Sequence, residues 1–165
     1  MNIDKFTAAS KSALSTAQMI AAKNNHQQIL PLHFLASLLA DENGVITNII
    51  NMVGGDLRSI NTKCEEELSR IPRVEVSGGG QVSMSSEGLK LIEKALSLAK
   101  TNKDSFVTIE RIFEALTQDK TKAGKILQEN SIDPKKTSAA IQTMRKGKTA
   151  DTESAEESYD ALLKY

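Results

Sequence analysis

Tryptophan is absent from this 165-residue chain, and cysteine occurs once, as Cys64. With no tryptophan and few other aromatic residues, the core must come from Leu, Ile, Ala, Val and Met. A lone cysteine forms no internal disulfide, which fits a reducing compartment. Net charge is also missing: 21 basic residues balance 21 acidic ones, which argues against a nucleic-acid binder driven by overall charge. No apolar run approaches the ~20 residues of a membrane span. The N-terminal stretch MNIDKFTAASKSAL has neither the basic head nor the apolar middle of a signal peptide. Together these absences predict a soluble cytoplasmic protein with neither a membrane nor a nucleic acid as partner. The length suits one domain of ordinary size, or two very small ones that share a core.

What is present is helical periodicity. From Asp4 to about Lys23, Phe6, Ala9, Ala13, Ala17, Ile20 and Ala21 recur at three- and four-residue steps and predict one amphipathic helix. Pro31 then opens a short helix striped by Phe34, Leu35, Leu38 and Leu39. A third runs through Ile46, Ile49, Ile50 and Val53 to a stop at Gly54-Gly55. A fourth starts near Asp56 and turns Leu57, Ile60, Cys64, Leu68 and Ile71 inward. The stretch PRVEVSGGGQVSMSS reads as a loop by composition. Then the pattern restarts, with a stripe of Leu89, Ile92, Leu96 and Ala99. A short helix follows behind Thr108 as N-cap, with Ile109, Ile112, Phe113 and Leu116 inward. A helix near Ala123 to Glu129 precedes the last one, which starts at Asp133-Pro134 and ends at Gly147.

The order long, short, short, medium is thus given twice. Shifting the chain by roughly 78 residues lays Ala17 on Ala95, Ile29 on Val107 and Leu38 on Leu116; past the third helix the register slips by about one residue, so Cys64 meets Ile141. Each half has too few apolar residues for a stable core of its own. The expectation is an all-α, eight-helix bundle built from two pseudo-twofold-related four-helix repeats. Its parts are repeat 1 at about 4–71, a Gly/Ser-rich loop at 72–84 and repeat 2 at about 85–147. Residues 148–165, acidic until DALLKY, read as a solvated linker toward a further module.

No catalytic motif is complete. Gly147-Lys148-Thr149 matches the tail of a phosphate-binding loop, but Gln142 stands where that loop needs glycine and no strand precedes it. His26, His33 and Cys64 lack zinc-finger spacing and read as structural. Lys120, Lys122 and Lys125 read as a solvated helix face. Asp104 and Glu110 bracket DSFVTIE. Two carboxylates suit acid/base work, but a first-turn glutamate and a loop aspartate are also what a helix N-terminus favours. A third possibility is an acidic rim beside an apolar groove. The residues alone leave these open.

The alanine-rich first helix, ILPLHFLASLL, IPRVEVSGGGQVSMSSEGLKLIEKALSLAK and KDSFVTIERIFEAL together resemble the duplicated N-terminal domain of Clp-type AAA+ chaperones. Within that family IPRVEVSGGGQV and DALLKY favour the disaggregase branch over the protease-associated relatives. The resemblance covers essentially the whole chain. It implies an N-terminal domain that engages unfolded or aggregated polypeptides. The full-length protein would be a homohexameric ATPase using ATP and Mg, working with the DnaK system, while the domain alone would be a monomer without cofactor, metal or catalytic residues. The alternative within the family is an adaptor-docking domain of a protease-associated ATPase. The resemblance further implies a substrate-handling polar cluster at Thr7, Asp104 and Glu110, and an apolar groove to which Ile92 belongs. Arg111 departs from the apolar residue expected in that groove.

Overall fold

The structure, a computed structural model, describes residues 3–41, 44–74 and 82–159. Its helices are α1 (Ala8–Lys23), α2 (Pro31–Leu39), α3 (Val45–Val53), α4 (Leu57–Arg70), α5 (Ser86–Thr101), α6 (Ile109–Thr117), α7 (Lys122–Glu129) and α8 (Pro134–Arg145). The starts follow side-chain chemistry. Thr7, Asp56, Ser85, Thr108 and Asp133 each accept a hydrogen bond from the backbone N–H three residues on, which relieves one of the unpaired donors of a first turn. Helix α3 ends at Gly54, whose φ of 85° is the left-handed conformation that a residue without Cβ adopts at little cost.

The duplication is visible in how the helices meet. Helix α1 packs on α2 as α5 packs on α6. Across the repeats, α1 touches α6 as α5 touches α2, α3 touches α8 as α7 touches α4, and α2 and α6 meet at the centre. An approximate dyad relates each contact to its counterpart. Two short parallel pairings obey it as well. Phe6, just before α1, bridges to Val107, just before α6. Strands β1 (Gln28–Ile29), before α2, and β2 (Ser83–Met84), before α5, pair with Ile29 opposite Met84. Phe6 to Met84 and Ile29 to Val107 are the same 78-residue shift. Each repeat therefore lends its leading segment to the other, and the two α2/α6 copies are buried together. Every residue of α6 is buried, as are Leu32, Phe34, Leu35 and Leu38 of α2. Neither half closes its core without the other.

Three expectations need correction. Phe6 is fully buried but lies before α1, since Thr7 caps the helix and residues 3–5 form a 3-10 turn. Leu89 faces out at 43% exposure; the inward face of α5 is Leu91, Ile92, Ala95 and Ala99. The third correction is the largest. Residues 148–159 are not a solvated linker: Ala150, Ala155, Glu156 and Tyr159 are buried, and Ala155–Tyr159 forms a 3-10 turn against the bundle. The acidic composition of that segment hides its widely spaced inward residues. Most of the SGGGQ loop, and DALLKY from Asp160 on, lie outside the described residues.

Candidate functional site

The polar cluster is built on the buried start of α6. Thr108 caps it, which sends Glu110 and Arg111 into the interior because the helix is enclosed on all sides. A buried charge is tolerated only when paired, and here each finds partners. Arg111 Nε donates to Asp104 Oδ2 at 2.9 Å, and its Nη1 to Glu114 Oε1 at 2.8 Å. Arg145, in the last turn of α8, donates through Nε to Glu110 Oε2 at 2.9 Å, through Nη1 to Asp104 Oδ1 at 2.8 Å and through Nη2 to Thr108 Oγ1 at 2.9 Å. The side chains of Asp104 and Glu110 have no exposed area. Burial opposes charge on Arg145, but Glu110, Tyr159 and Asp104 outweigh it and hold the guanidinium above its ordinary range.

Residues 148–159 lie over this network as a strap. The Ala150 N–H donates to Asp104 Oδ1 at 3.0 Å, while the Ala150 carbonyl accepts from the N–H groups of Ser105 and Phe106. The Ala8 N–H donates to the Glu153 carbonyl at 2.8 Å. Glu156 Oε2 accepts from the Thr7 hydroxyl at 2.6 Å and from the Ile109 N–H at 3.0 Å, so it serves the N-termini of α1 and α6 together. The Tyr159 ring lies 5.8 Å from the Arg145 guanidinium carbon. Burial, then the Glu110 carboxylate, pushes the Glu156 carboxyl up to about 7. Its Oε1 has no hydrogen-bond partner among the described residues.

The structure thus brings Asp104, Glu110 and Arg111 into one network through Arg145, while Thr7 binds the strap's Glu156 beside it. The expectation of an acidic rim open to solvent is corrected: the carboxylates are closed off by two arginines and the strap. Arg111 fits its position because Asp104 and Glu114 neutralise it, not because a groove there is polar. Ile92 belongs to the apolar core, at 2% exposure. Glu114, Arg145, Glu156 and Tyr159 were missed from the sequence. The three-residue step from Arg111 to Glu114 could have signalled one of them. Ala150, Ala155 and Tyr159, the apolar residues in an acidic tract, could have signalled the strap. Nothing local marks Arg145.

The histidines form a separate buried pair. His33 Nδ1 accepts from the Leu30 N–H at 2.8 Å, so the neutral ring carries its proton on Nε2 and donates it to His26 Nδ1 at 2.8 Å. Burial, then His26, lowers His33 to about 4. Burial, then Arg73, also lowers His26. Cys64 is buried and its thiol is pushed up to about 12, chiefly by burial and secondarily by Glu65. Among the described residues no group of three or more His, Cys, Asp or Glu is placed to hold a metal, and no helix is long and apolar enough to cross a membrane.

Residues 5–130 match the family described as the Clp repeat (R) N-terminal domain. The chain is 61% identical, over all 165 residues, to the chaperone protein ClpB of Rickettsia conorii, and equally to that of Rickettsia felis. It spans 19% of the length of each. Its fold is similar to the N-terminal domain of Hsp104 from Candida albicans, with a TM-score of 0.79 over 92% of this chain and 99% of that one, at 20% identity.

Proposed function

Because the chain belongs to the Clp repeat (R) N-terminal domain family, we propose that it is the substrate-engaging domain of an ATP-dependent protein disaggregase of the ClpB type. It binds exposed apolar segments of unfolded or aggregated polypeptides and passes them to an ATPase ring. The full-length protein is then a cytoplasmic homohexamer that uses ATP and Mg and cooperates with the DnaK system, and the domain alone is a monomer without catalysis. The single observation that carries this reading is the unbroken 61% identity to ClpB from the first residue of this chain to the last.

The client site we assign is the cleft held closed by the strap. Asp104 accepts from the strap's Ala150 N–H and Thr7 donates to its Glu156, while Glu110 stands beside them on Arg145; an incoming extended polypeptide takes over the strap's contacts when the strap lifts. Arg111 acts from below by holding Asp104, whereas Ile92 acts only through the apolar core to which it belongs. Each client side chain buried fully contributes roughly 1.5–3 kcal/mol, much of which is offset by ordering a disordered chain. Binding is therefore weak, on the order of the ~4–8 kcal/mol of millimolar to micromolar affinity, and release to the ring is easy. Six tethered copies raise the effective concentration.

The test compares full-length rings carrying this domain as it is, or with Asp104→Asn and Glu110→Gln together, in recovering a heat-aggregated reporter enzyme. Reduced recovery at unchanged ATP turnover is expected. Unchanged recovery removes the site assignment. Tight one-to-one binding of this domain to a single folded protein, with no affinity for denatured chains, selects the adaptor-docking alternative.

A further inference from the structure

Three buried side-chain oxygens around the strap lack a hydrogen-bond partner among the described residues: Glu110 Oε1, Glu156 Oε1 and Tyr159 Oη. The three groups are electrostatic neighbours, since Glu110 acts on both Glu156 and Tyr159, and Glu156 acts on Tyr159. Unpaired polar atoms in an interior cost free energy, so a hydrogen should link them. Burial, then Glu110, pushes the Tyr159 phenol above its ordinary range, so it keeps its one hydrogen. That hydrogen serves one carboxylate. Two ionised carboxylates are acceptors only, so the other stays unpaired.

The charges lead to the same place. Asp104, Glu110, Glu114 and Glu156 bring four buried carboxyls against the two guanidiniums of Arg111 and Arg145. Arg111 binds Asp104 and Glu114, and Arg145 binds Asp104 and Glu110. Glu156 has only the Thr7 hydroxyl and the Ile109 N–H. One proton on Glu156 Oε1 completes the set: Glu156 donates to the Tyr159 oxygen, and the Tyr159 hydroxyl donates to Glu110 Oε1. Two hydrogens then pair three oxygens.

We infer that a single proton held among Glu156, Tyr159 and Glu110 latches the strap, and that client access to the site beneath opens when that proton leaves. The inference rests on the client-engaging reading and gives it a means of regulation.

With the strap docked, loss of the proton puts a second unneutralised charge beside Glu110 in the interior. With the strap lifted, Glu156 ionises in water. The groups facing it are Glu110 of α6, itself paired with Arg145 of α8, Thr7 before α1, and Tyr159 of the strap; Asp104 lies beyond, held by both arginines. Thr7 and the Ile109 N–H favour the anion, but burial and Glu110 outweigh them and hold the carboxyl near 7, against 4.5 for an ordinary glutamate. A group raised in the docked state favours docking fully below 4.5 and loses that effect as pH rises through 7. Lifting therefore becomes easier by about tenfold or more between about pH 5.5 and about pH 7.5. By linkage, a client that lifts the strap below pH 7 releases a proton.

The experiment uses the whole 165-residue chain with nitroxides at Ser12→Cys on α1 and Ser154→Cys on the strap, both exposed positions. Native Cys64 stays unlabelled because it is buried. Pulsed electron-spin distance measurements separate a narrow docked population from a broad lifted one. The ratio of lifted to docked is expected to rise about tenfold or more over that pH range. It should stay constant in Glu156→Gln, whose amide donates to Tyr159 as the protonated acid does. The Glu156 carboxyl-carbon NMR signal should titrate near 7. Affinity for an end-capped peptide alternating leucine and serine between terminal lysines, whose charge is constant over the range, should rise in parallel in wild type only. A strap docked to the same extent throughout, or one that lifts with pH equally in Glu156→Gln, overturns the latch. Titration near 4.5 overturns it too, even if Glu156→Gln does not fold. Peptide affinity that ignores a lifting strap overturns the regulation and leaves client engagement standing. No peptide binding at any pH removes client engagement, while the distance ratio still decides the latch.

Discussion

Replacing Glu156 by glutamine keeps an oxygen that accepts from the Thr7 hydroxyl and the Ile109 N–H but removes the charge that has to be buried. In the native protein the Glu156 carboxyl lies near 7, against 4.5 for an ordinary glutamate. A raised acid favours folding only while it is protonated. Its contribution is complete below pH 4.5, declines as pH rises, and is gone above about 7. The gap between the two values corresponds to about 3 kcal/mol. His33 runs the other way. Depressed from 6.5 to about 4, it stabilises the fold above 6.5 and loses that contribution as pH falls toward 4. Between about 4.5 and 6.5 the two slopes oppose each other. Wild-type stability should therefore be nearly flat there and should fall as pH passes through 7.

Glu156→Gln removes one slope and leaves the other. Its stability should rise from pH 4 to 6.5 and then level off. The advantage over wild type should widen by about 2–3 kcal/mol between about pH 5 and about pH 8. In urea, where small proteins lose about 1–3 kcal/mol per molar, that is a midpoint difference of about 1–3 M. Far-UV circular dichroism across a urea series at each pH measures it. A variant that tracks wild type in parallel at both pH values would refute a buried, charge-sensitive strap.

Other outcomes follow from the same coordinates. Arg145→Met strands the buried Glu110 carboxylate opposite an apolar side chain, leaves Asp104 to Arg111 and the Ala150 N–H, and should cost about 3–5 kcal/mol; calorimetry should register a drop in melting temperature of roughly 6–20 °C. In Gly124→Ala the new Cβ would stand 1.8 Å from the Asp119 carbonyl oxygen, a backbone atom with little freedom to retreat. That variant should lose at least about 2 kcal/mol in chemical denaturation. Cys64 should resist a thiol reagent in the native protein and react fully in denaturant; fast native labelling would contradict its burial.

The helices were readable because each carries its own instructions. Asp133-Pro134 starts α8, Gly54 stops α3, and the stripe Ile109, Ile112, Phe113 and Leu116 marks α6, all through contacts within a few residues. The twofold repeat was readable for the same reason, since equivalent helices need equivalent apolar spacing. The site was legible only in part. Thr7, Asp104 and Glu110 stood out by resemblance, but their burial did not. It depends on Arg145 arriving from α8, 35 residues beyond Glu110. Leu89 failed because several registers of an alanine- and leucine-rich helix present an acceptable stripe, and only the neighbour chooses among them.

The sequence by itself determined the order of the helices, the caps at Thr108 and Asp133 and the duplication, because periodicity and capping act over one or two turns. Tertiary structure alone decided what the acidic tail does. Its few apolar residues, with one glutamate, find partners only where the N-termini of α1 and α6 converge. Convergence of distant helices is a property of packing, and no local run of residues encodes it.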